Sequence, residues 1–454
     1  MKRSYILLTA SLFFSPKPLV GQNVYFGNLH SHTSYSDGSG TPSDAYKYAR
    51  STAQIDFLAI TEHNHKDAER GAALDRRDGI LIAKDHSLYN GKSSTSLMSA
   101  ARTNTVNGKF VALYGQEFSS ISRGNHINVF DVDSVIDVPN GEFGQLVRKW
   151  LPNNFDSEGK PAIIQFNHPS EFDNDNIEYG ADDFDSMSDW VNEMGAQACL
   201  IEVLNGPAMA KQNGNRPRDV MEAEFLRYLN LGFHLAPTGD QDNHYETWGN
   251  TTDSRTAVLA DALTKHDVLS ALRNRHVYAT EDKNLRLVFR VNGHLCGDRI
   301  TTPPLLESEL SIKFSIRDDD EATADYQVAV YSDTPGGEVA RAVDVISVEG
   351  NTPVNAMDSI EDIHYTGPGQ YVFFKITQFD EDGVSDKAWT SPVWFEQAGS
   401  PTENAEETFV ASKNSEVYHI SNECVDARRI KPANRVTGEA AKKGRRLHDG
   451  CPRK

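Results

Sequence analysis

The sequence predicts an α/β protein: a β/α barrel, then an antiparallel β-sandwich, then a small basic tail carrying Cys and His. Three observations carry this reading. From about residue 23 to 290, short runs that are apolar throughout alternate with helix-like stretches, as in strands covered on both faces. Near 285 the texture changes to apolar–polar alternation broken by Gly, Pro, Asp and Asn, which suits half-buried antiparallel strands. The chain has 454 residues, more than one core of ordinary size accommodates, so several domains are expected.

Taken in order, residues 1–22, "MKRSYILLTASLFFSPKPLVGQ", read as a secretory signal: basic start, short apolar run, then small and turn residues. That run is too short to span a bilayer, and no later stretch is long and apolar enough. The expectation is an exported protein, periplasmic or secreted, with no membrane span. The barrel is expected over 23–290. Its strands are "IDFLAIT", "KFVALYG", "INVFDV", "PAIIQFN", "CLIEVLN" and "FHLAPTG". Helix signals separate them. "TPSDAYKYAR" offers Thr41 as cap, Pro42 in the first turn and Asp44 at the third position. "RDVMEAEFLRYLNLG" ends on Gly232, and "TKHDVLSALRNR" repeats the Thr-x-x-Asp cap.

The sandwich is expected over 291–398, from "LRLVFRVNG" to "TSPVWFEQ". Residues 399–408 are a linker by composition, and 409–454 form the basic tail. Of the four cysteines, Cys199 sits in an apolar run and reads as a core residue, while Cys424 and Cys451 lie in the tail. The net charge of −20 argues against a nucleic-acid surface over most of the chain; only the tail leaves that partner open.

Chemistry gathers at the ends of the barrel strands. "VYFGNLHSH" reads as a strand, so His30 and His32, two apart, project to one side. "LAITEH" ends in His63, "LYGQE" in Glu117, "IIQFNH" in His168, and "APTGDQDNH" in Asp242 and His244; "GNHINVF" starts with His126. In a β/α barrel the C-terminal strand ends share one rim. Imidazole and carboxylate together suit Zn, Fe or Mn. There is no Gly-x-Ser-x-Gly elbow for a serine nucleophile. Arg255 or Arg123 could hold a substrate anion by a forked contact, and His65 could protonate a leaving group.

His-x-His, Ser-Asp-Gly, Thr-Glu-His, Gly-x-Glu, Asn-His-Pro and Asp-x-His occur in that order from about 24 to 285. In this the chain resembles the polymerase and histidinol phosphatase (PHP) superfamily of metallohydrolases, and within it the CehA/McbA-like branch. The resemblance implies a distorted seven-stranded β/α barrel with two or three divalent metal ions, Zn, Mn or Fe. It implies that His30, His32, Glu117 and Asp242 hold one metal. Glu117 would bridge to a second held by His126 and His168. Asp37, His63 and His244 would hold a third. Two residues depart from the family pattern: Asp37 stands where many relatives have His, and Glu62 where Asp is usual, which could shift His63. Asp240 competes with Asp242, which is preferred for its spacing to His244.

The function expected is a phosphoesterase acting on a small-molecule ester, with metal-bound hydroxide as nucleophile. The alternatives are carbamate, amide or carboxylic ester hydrolysis at the same metals, or a metal-loaded but non-catalytic binding protein. The tail resembles an Ada-like Cys/His module through His419, Cys424 and Cys451. It lacks the usual final Cys-x-x-Cys, so either zinc, with His448 substituting, or a Cys424–Cys451 disulfide is open.

Overall fold

The computed structural model describes residues 23–65, 82–119, 125–156, 158–169, 178–210, 219–353, 356–379, 385–396, 409–412, 416–420, 435–437 and 446–447. The expected signal segment, Arg123, the linker, Cys424, His448 and Cys451 lie outside these residues. Among the described residues no helix is long and apolar enough to cross a membrane.

The fold is mixed α/β around one large sheet. Its first part contains β1 (Asn23–Asn28), β2 (Phe57–His63), β3 (Val111–Phe118), β4 (Ile127–Phe130), β5 (Ile163–Phe166) and β6 (Ala198–Asn205). It continues with β7 (Asp219–Val220), β8 (Ala236–Gly239), β9 (Arg255–Ala260) and β10 (Val277–Thr280). The spatial order is β10-β9-β1-β2-β3-β4-β5-β6, with β7 and β8 both on β6. Strands β2, β3, β5 and β8 are buried at every position, as their apolar runs require.

Not every pair is parallel. β1–β2, β2–β3, β5–β6 and β6–β8 are parallel, but β4 is antiparallel to both β3 and β5, and β9 is antiparallel to β1 and β10. Two close approaches fix the packing. A Cβ on Gly27 would lie 2.2 Å from the carbonyl oxygen of Phe57, its register partner in β2. One on Gly239 would lie 2.7 Å from the carbonyl oxygen of Arg255. Gly239 N donates to Thr256 Oγ1 at 3.0 Å, so a side chain stitches β8 to β9.

The helices follow their caps. In α1 (Pro42–Tyr48) Thr41 Oγ1 accepts from Asp44 N, and a helix at Lys265–Arg273 is capped likewise by Thr264 from Asp267 N. The helix expected from Arg218 starts instead at Glu222, because Asp219 and Val220 pair with the end of β6. It stops at Gly232, whose φ of +102° reverses the chain. Cys199, expected in the core, is only half-buried at its margin.

The second region is antiparallel except for the short pair of Arg299–Ile300 with Val393–Phe395, which is parallel, and it joins the first without a break. β11 (Arg286–Val291), β12 (His294–Leu295), β14 (Ile312–Arg317) and β17 (Asp358–Ile360) form one sheet. β13 (Arg299–Ile300), β15 (Asp325–Asp333), β16 (Ala342–Glu349), β18 (Tyr371–Phe379), β19 (Ser385–Thr390) and β20 (Val393–Phe395) continue the large one. β10 pairs with β19, Tyr278 opposite Thr390. Both sheets contribute to one core, where Phe289 stacks on Phe314 and Phe374. The alternation that marks this region begins with β11, so the strand itself crosses the boundary expected at 290. In the tail, buried His419 pairs with Val410.

Candidate metal centre

The sequence expected one strand to run through His32, but the β1–β2 ladder ends at Asn28. Beyond it the chain stays extended through single bonds. Ser31 bridges Asn243, His32 N donates to Asn243 O at 2.8 Å, and Thr61 N donates to Ser31 O at 2.8 Å. His30 and His32 therefore still face one side, and both are buried.

They meet Glu117 from the end of β3 and Asp242 from the turn after β8. His30 Nε2 lies 3.2 Å from Glu117 Oε1 and 3.1 Å from Asp242 Oδ1. His32 Nε2 lies 3.3 Å from Glu117 Oε2, 3.0 Å from Asp242 Oδ1 and 3.3 Å from His30 Nε2. Those separations suit a tetrahedral ion, since ligands about 2.0–2.1 Å from Zn stand about 3.3 Å apart. His126 Nδ1 is 3.0 Å and His168 Nε2 3.3 Å from Glu117 Oε1, and His63 Nδ1 is 3.0 Å from Glu117 Oε2. Asp37 faces His63 at 3.6 Å and His244 at 3.2 Å.

Three groups of converging donor atoms result: His30, His32, Glu117 and Asp242; His63, Glu117 and His126; His32, Asp37, His63 and His244. The first is the set the resemblance implies. In the others His63 and His32 each serve two groups, where the resemblance gave them one each. Eight of the nine ligand candidates belong to these groups; His168, which the resemblance put with Glu117 and His126, belongs to none and touches the set through Glu117 Oε1.

The donor chemistry fits cations. Glu117 Oε2, His63 Nδ1, His126 Nε2 and Asp37 Oδ1 are buried yet make no hydrogen bond of acceptable geometry. Lone pairs aimed at one another across 3.0–3.2 Å need a positive charge between them. Without metal, protons take that role. Burial alone would lower His63 and His244, but Asp37, Glu117 and Asp242 raise them to about 10 and about 9. Burial would raise Glu117, Asp242 and Asp37, but the surrounding histidines hold all three below the usual carboxylate range. Burial would also lower His30 and His168, and the carboxylates raise both, whereas His126 stays low through burial.

Other buried groups hold the ligands in place. Glu62 does not reach the cluster. It accepts from Thr33 N at 3.1 Å and from the hydroxyls of Thr33 and Ser36, and so pins the loop that presents Asp37. Asp240 is a supporting residue as well: it accepts from Leu29 N, Thr256 Oγ1 and Gln165 Nε2. Burial, with Glu202 nearby, lifts it to about 7. Asn125, His168 and Asp242 have positive φ, a conformation that costs energy and gathers at functional sites.

Two residues proposed for substrate lie differently. His65 is half-buried beside His63, ring centroids 5.3 Å apart, and burial with His63 and His126 lowers it to about 4. Arg255 is buried at the start of β9, and its Nη1 donates to Thr252 O and Ser254 O at 2.8 Å. That nitrogen holds the turn before β9. Sequence reasoning missed Glu202, which bonds His30 Nδ1 at 2.7 Å, and Asn167, which donates to Glu117 Oε1 at 3.0 Å. The signal for Glu202 was present: a carboxylate inside the apolar run "CLIEVL".

No family model matches the chain, and no curated protein matches it. Among solved structures it is similar to a two-domain protein of Bacteroides vulgatus ATCC 8482 containing a predicted PHP-like metal-dependent phosphoesterase. That pair shares 13% identity over 84% of this chain and 95% of the other, with a TM-score of 0.41. It is also similar to the PmoD soluble domain of a Methylocystis species, at 13% identity over 24% of this chain and 90% of the other, with a TM-score of 0.17. The functional argument therefore rests on the geometry of the site itself.

Proposed function

We propose that this protein is a metal-dependent hydrolase of the PHP type, on a distorted β/α barrel, that cleaves phosphoesters. The observation that carries the reading is Glu117. Its two oxygens face different histidines: Oε1 meets His30, His126 and His168, and Oε2 meets His32 and His63. A buried carboxylate used on both oxygens is suited to join two neighbouring cations. Each position draws on both oxygens: His30 on Oε1 and His32 on Oε2 would complete one with Asp242, and His126 and His168 on Oε1 with His63 on Oε2 the other; Asp37 and His244 with His63 offer a third. Bound there, divalent cations supply Lewis acidity, lowering the pKa of water and drawing charge from a phosphoryl oxygen.

The chain's own residues do the rest. Glu62 and Asn167 keep Asp37 and Glu117 in register. The side chains of His30 and His32 are fully covered, whereas those of Asp242, His126 and His168 are 15%, 14% and 19% exposed. Substrate is thus expected to enter from the latter side. His65, next to His63 and held low by burial and its histidine neighbours, would stand unprotonated at neutral pH, which suits it to accept a proton rather than to hand one to a departing alkoxide.

The test is hydrolysis of bis-p-nitrophenyl phosphate, p-nitrophenyl phosphate and 1-naphthyl acetate by the purified chain. It is run after chelation and again after restoring Mn or Zn. Metal-dependent turnover of a phosphate ester is expected, and its loss in His30→Ala. Turnover of the naphthyl ester alone would replace phosphoester by carboxylic ester or carbamate. No turnover with metals bound would favour a binding protein.

A further inference from the structure

Glu202 lies in the middle of β6, fully buried, and none of its oxygens faces the converging donors. Its Oε1 is 2.7 Å from His30 Nδ1 and 3.3 Å from Gln165 Nε2. Its Oε2 accepts from the backbone N–H of His168 at 2.5 Å and from Asn205 Nδ2 at 2.7 Å. The β6–β8 ladder slips register between Glu202 and Leu204, the kind of irregularity that re-aims a side chain. We infer that Glu202 is a positioning residue that couples two metal positions, one through the His30 ring and the other through the His168 backbone.

The reasoning is geometric and rests on the metal-centre reading above. A carboxylate accepts hydrogens only, so the neutral His30 ring facing it carries its proton on Nδ1. Its Nε2 lone pair is then left for the donors Glu117 and Asp242 surround. On the other oxygen, the bond to His168 N holds a residue whose φ is +29°, a turn that aims the imidazole at Glu117 Oε1. One buried side chain thus fixes a ring tautomer at one position and a strained backbone at the next.

Glu202→Gln breaks this arrangement whichever way the amide turns. With its oxygen toward His30, the NH2 group meets two donors, His168 N and Asn205 Nδ2. With its oxygen toward His168, the NH2 group forces the His30 proton onto Nε2. The full-length chain, stripped by chelation, is titrated with zinc by calorimetry and its metal content measured. Zinc affinity at both positions is expected to fall together by about 10- to 100-fold. Unchanged affinity, or weakening at one position alone, would overturn the coupling. Histidine-ring NMR of the zinc-loaded wild-type protein tests the same point if the variant does not fold: His30, assigned by its loss in His30→Asn, should be protonated on Nδ1. Protonation on Nε2 would overturn the inference. Wild-type protein that takes up no zinc would sink the metal-centre reading itself, whereas wild-type binding matched by Glu202→Gln would sink only the coupling.

Discussion

Filling the centre with metal should expel protons, and the number is legible in the charges around it. Without metal, His63 and His244 are held as imidazolium by Asp37, Glu117 and Asp242, at about 10 and about 9. At pH 7 both carry their protons. A metal accepts only the neutral ring, so binding must remove them. For His244 alone that costs about 3 kcal/mol at pH 7, two units at about 1.4 kcal/mol each. Since His30 and His168 are raised too, about two protons is a floor for a fully loaded centre. The affinity should accordingly tighten by about a hundredfold per pH unit between pH 7 and pH 9, by about tenfold from there to pH 10, and then level off. Calorimetric zinc titration of the chelated chain in buffers of different ionisation enthalpy reads the proton count from the slope. A zero slope at pH 7 would refute the charge assignment.

The same residues set a pH dependence of stability with opposite arms. His63 and His244 have folded pKa values above 6.5, so their contribution is complete below about 6.5 and is lost as pH rises through 9 to 10. The carboxylates Glu117, Asp242 and Asp37 are depressed, so theirs is present above the ordinary carboxylate range and lost on acidification. Metal-free protein should therefore melt at lower temperature at pH 10 than at pH 7, while zinc-loaded protein, whose ligands hold metal in place of protons, should lose less.

Two further outcomes follow from particular contacts. Asp37→Asn removes the only carboxylate facing both His63 and His244 in the third group, so elemental analysis of the dialysed protein should show less metal per chain, with the Glu117–Asp242 group still filled. Gly27→Ala would drive a Cβ to 2.2 Å from Phe57 O and 2.5 Å from its ring in the β1–β2 ladder. A loss of about 3 kcal/mol or more is expected, measured as a lower denaturation midpoint; wild-type stability would show that the two strands are not so close.

Much of the site was legible because its signals are local. Thr41 and Thr264 announce helix starts by their own side chains, and each ligand sits at the end of an apolar run. Residues that work through other residues were harder to find. Glu202 and Asn167 have no spacing that distinguishes them from any buried polar residue; their meaning lies in what packs against them across 172 and 50 positions of chain. Arg255 shows the reverse case. Its charge suggested an anion partner, and the structure shows its Nη1 donating to carbonyls one and three residues away.

Strand direction is where local pattern is silent, and here it decides the chemistry. An apolar run such as "INVFDV" reads the same whether its strand runs up or down. In a uniformly parallel sheet the N-terminal end of β4 would lie on the opposite edge from the C-terminal end of β3. At about 3.3 Å per residue, its four residues would carry His126 roughly 13 Å from that rim. Instead β4 runs antiparallel, with Ile127 opposite Phe118 and Asn128 opposite Glu117. Its first residues then stand on the rim where β3 and β5 end, and His126 Nδ1 comes within 3.0 Å of Glu117 Oε1. The reversal of one four-residue strand places a strand-initial histidine among strand-final ligands, and without it the second group of donors would lack His126.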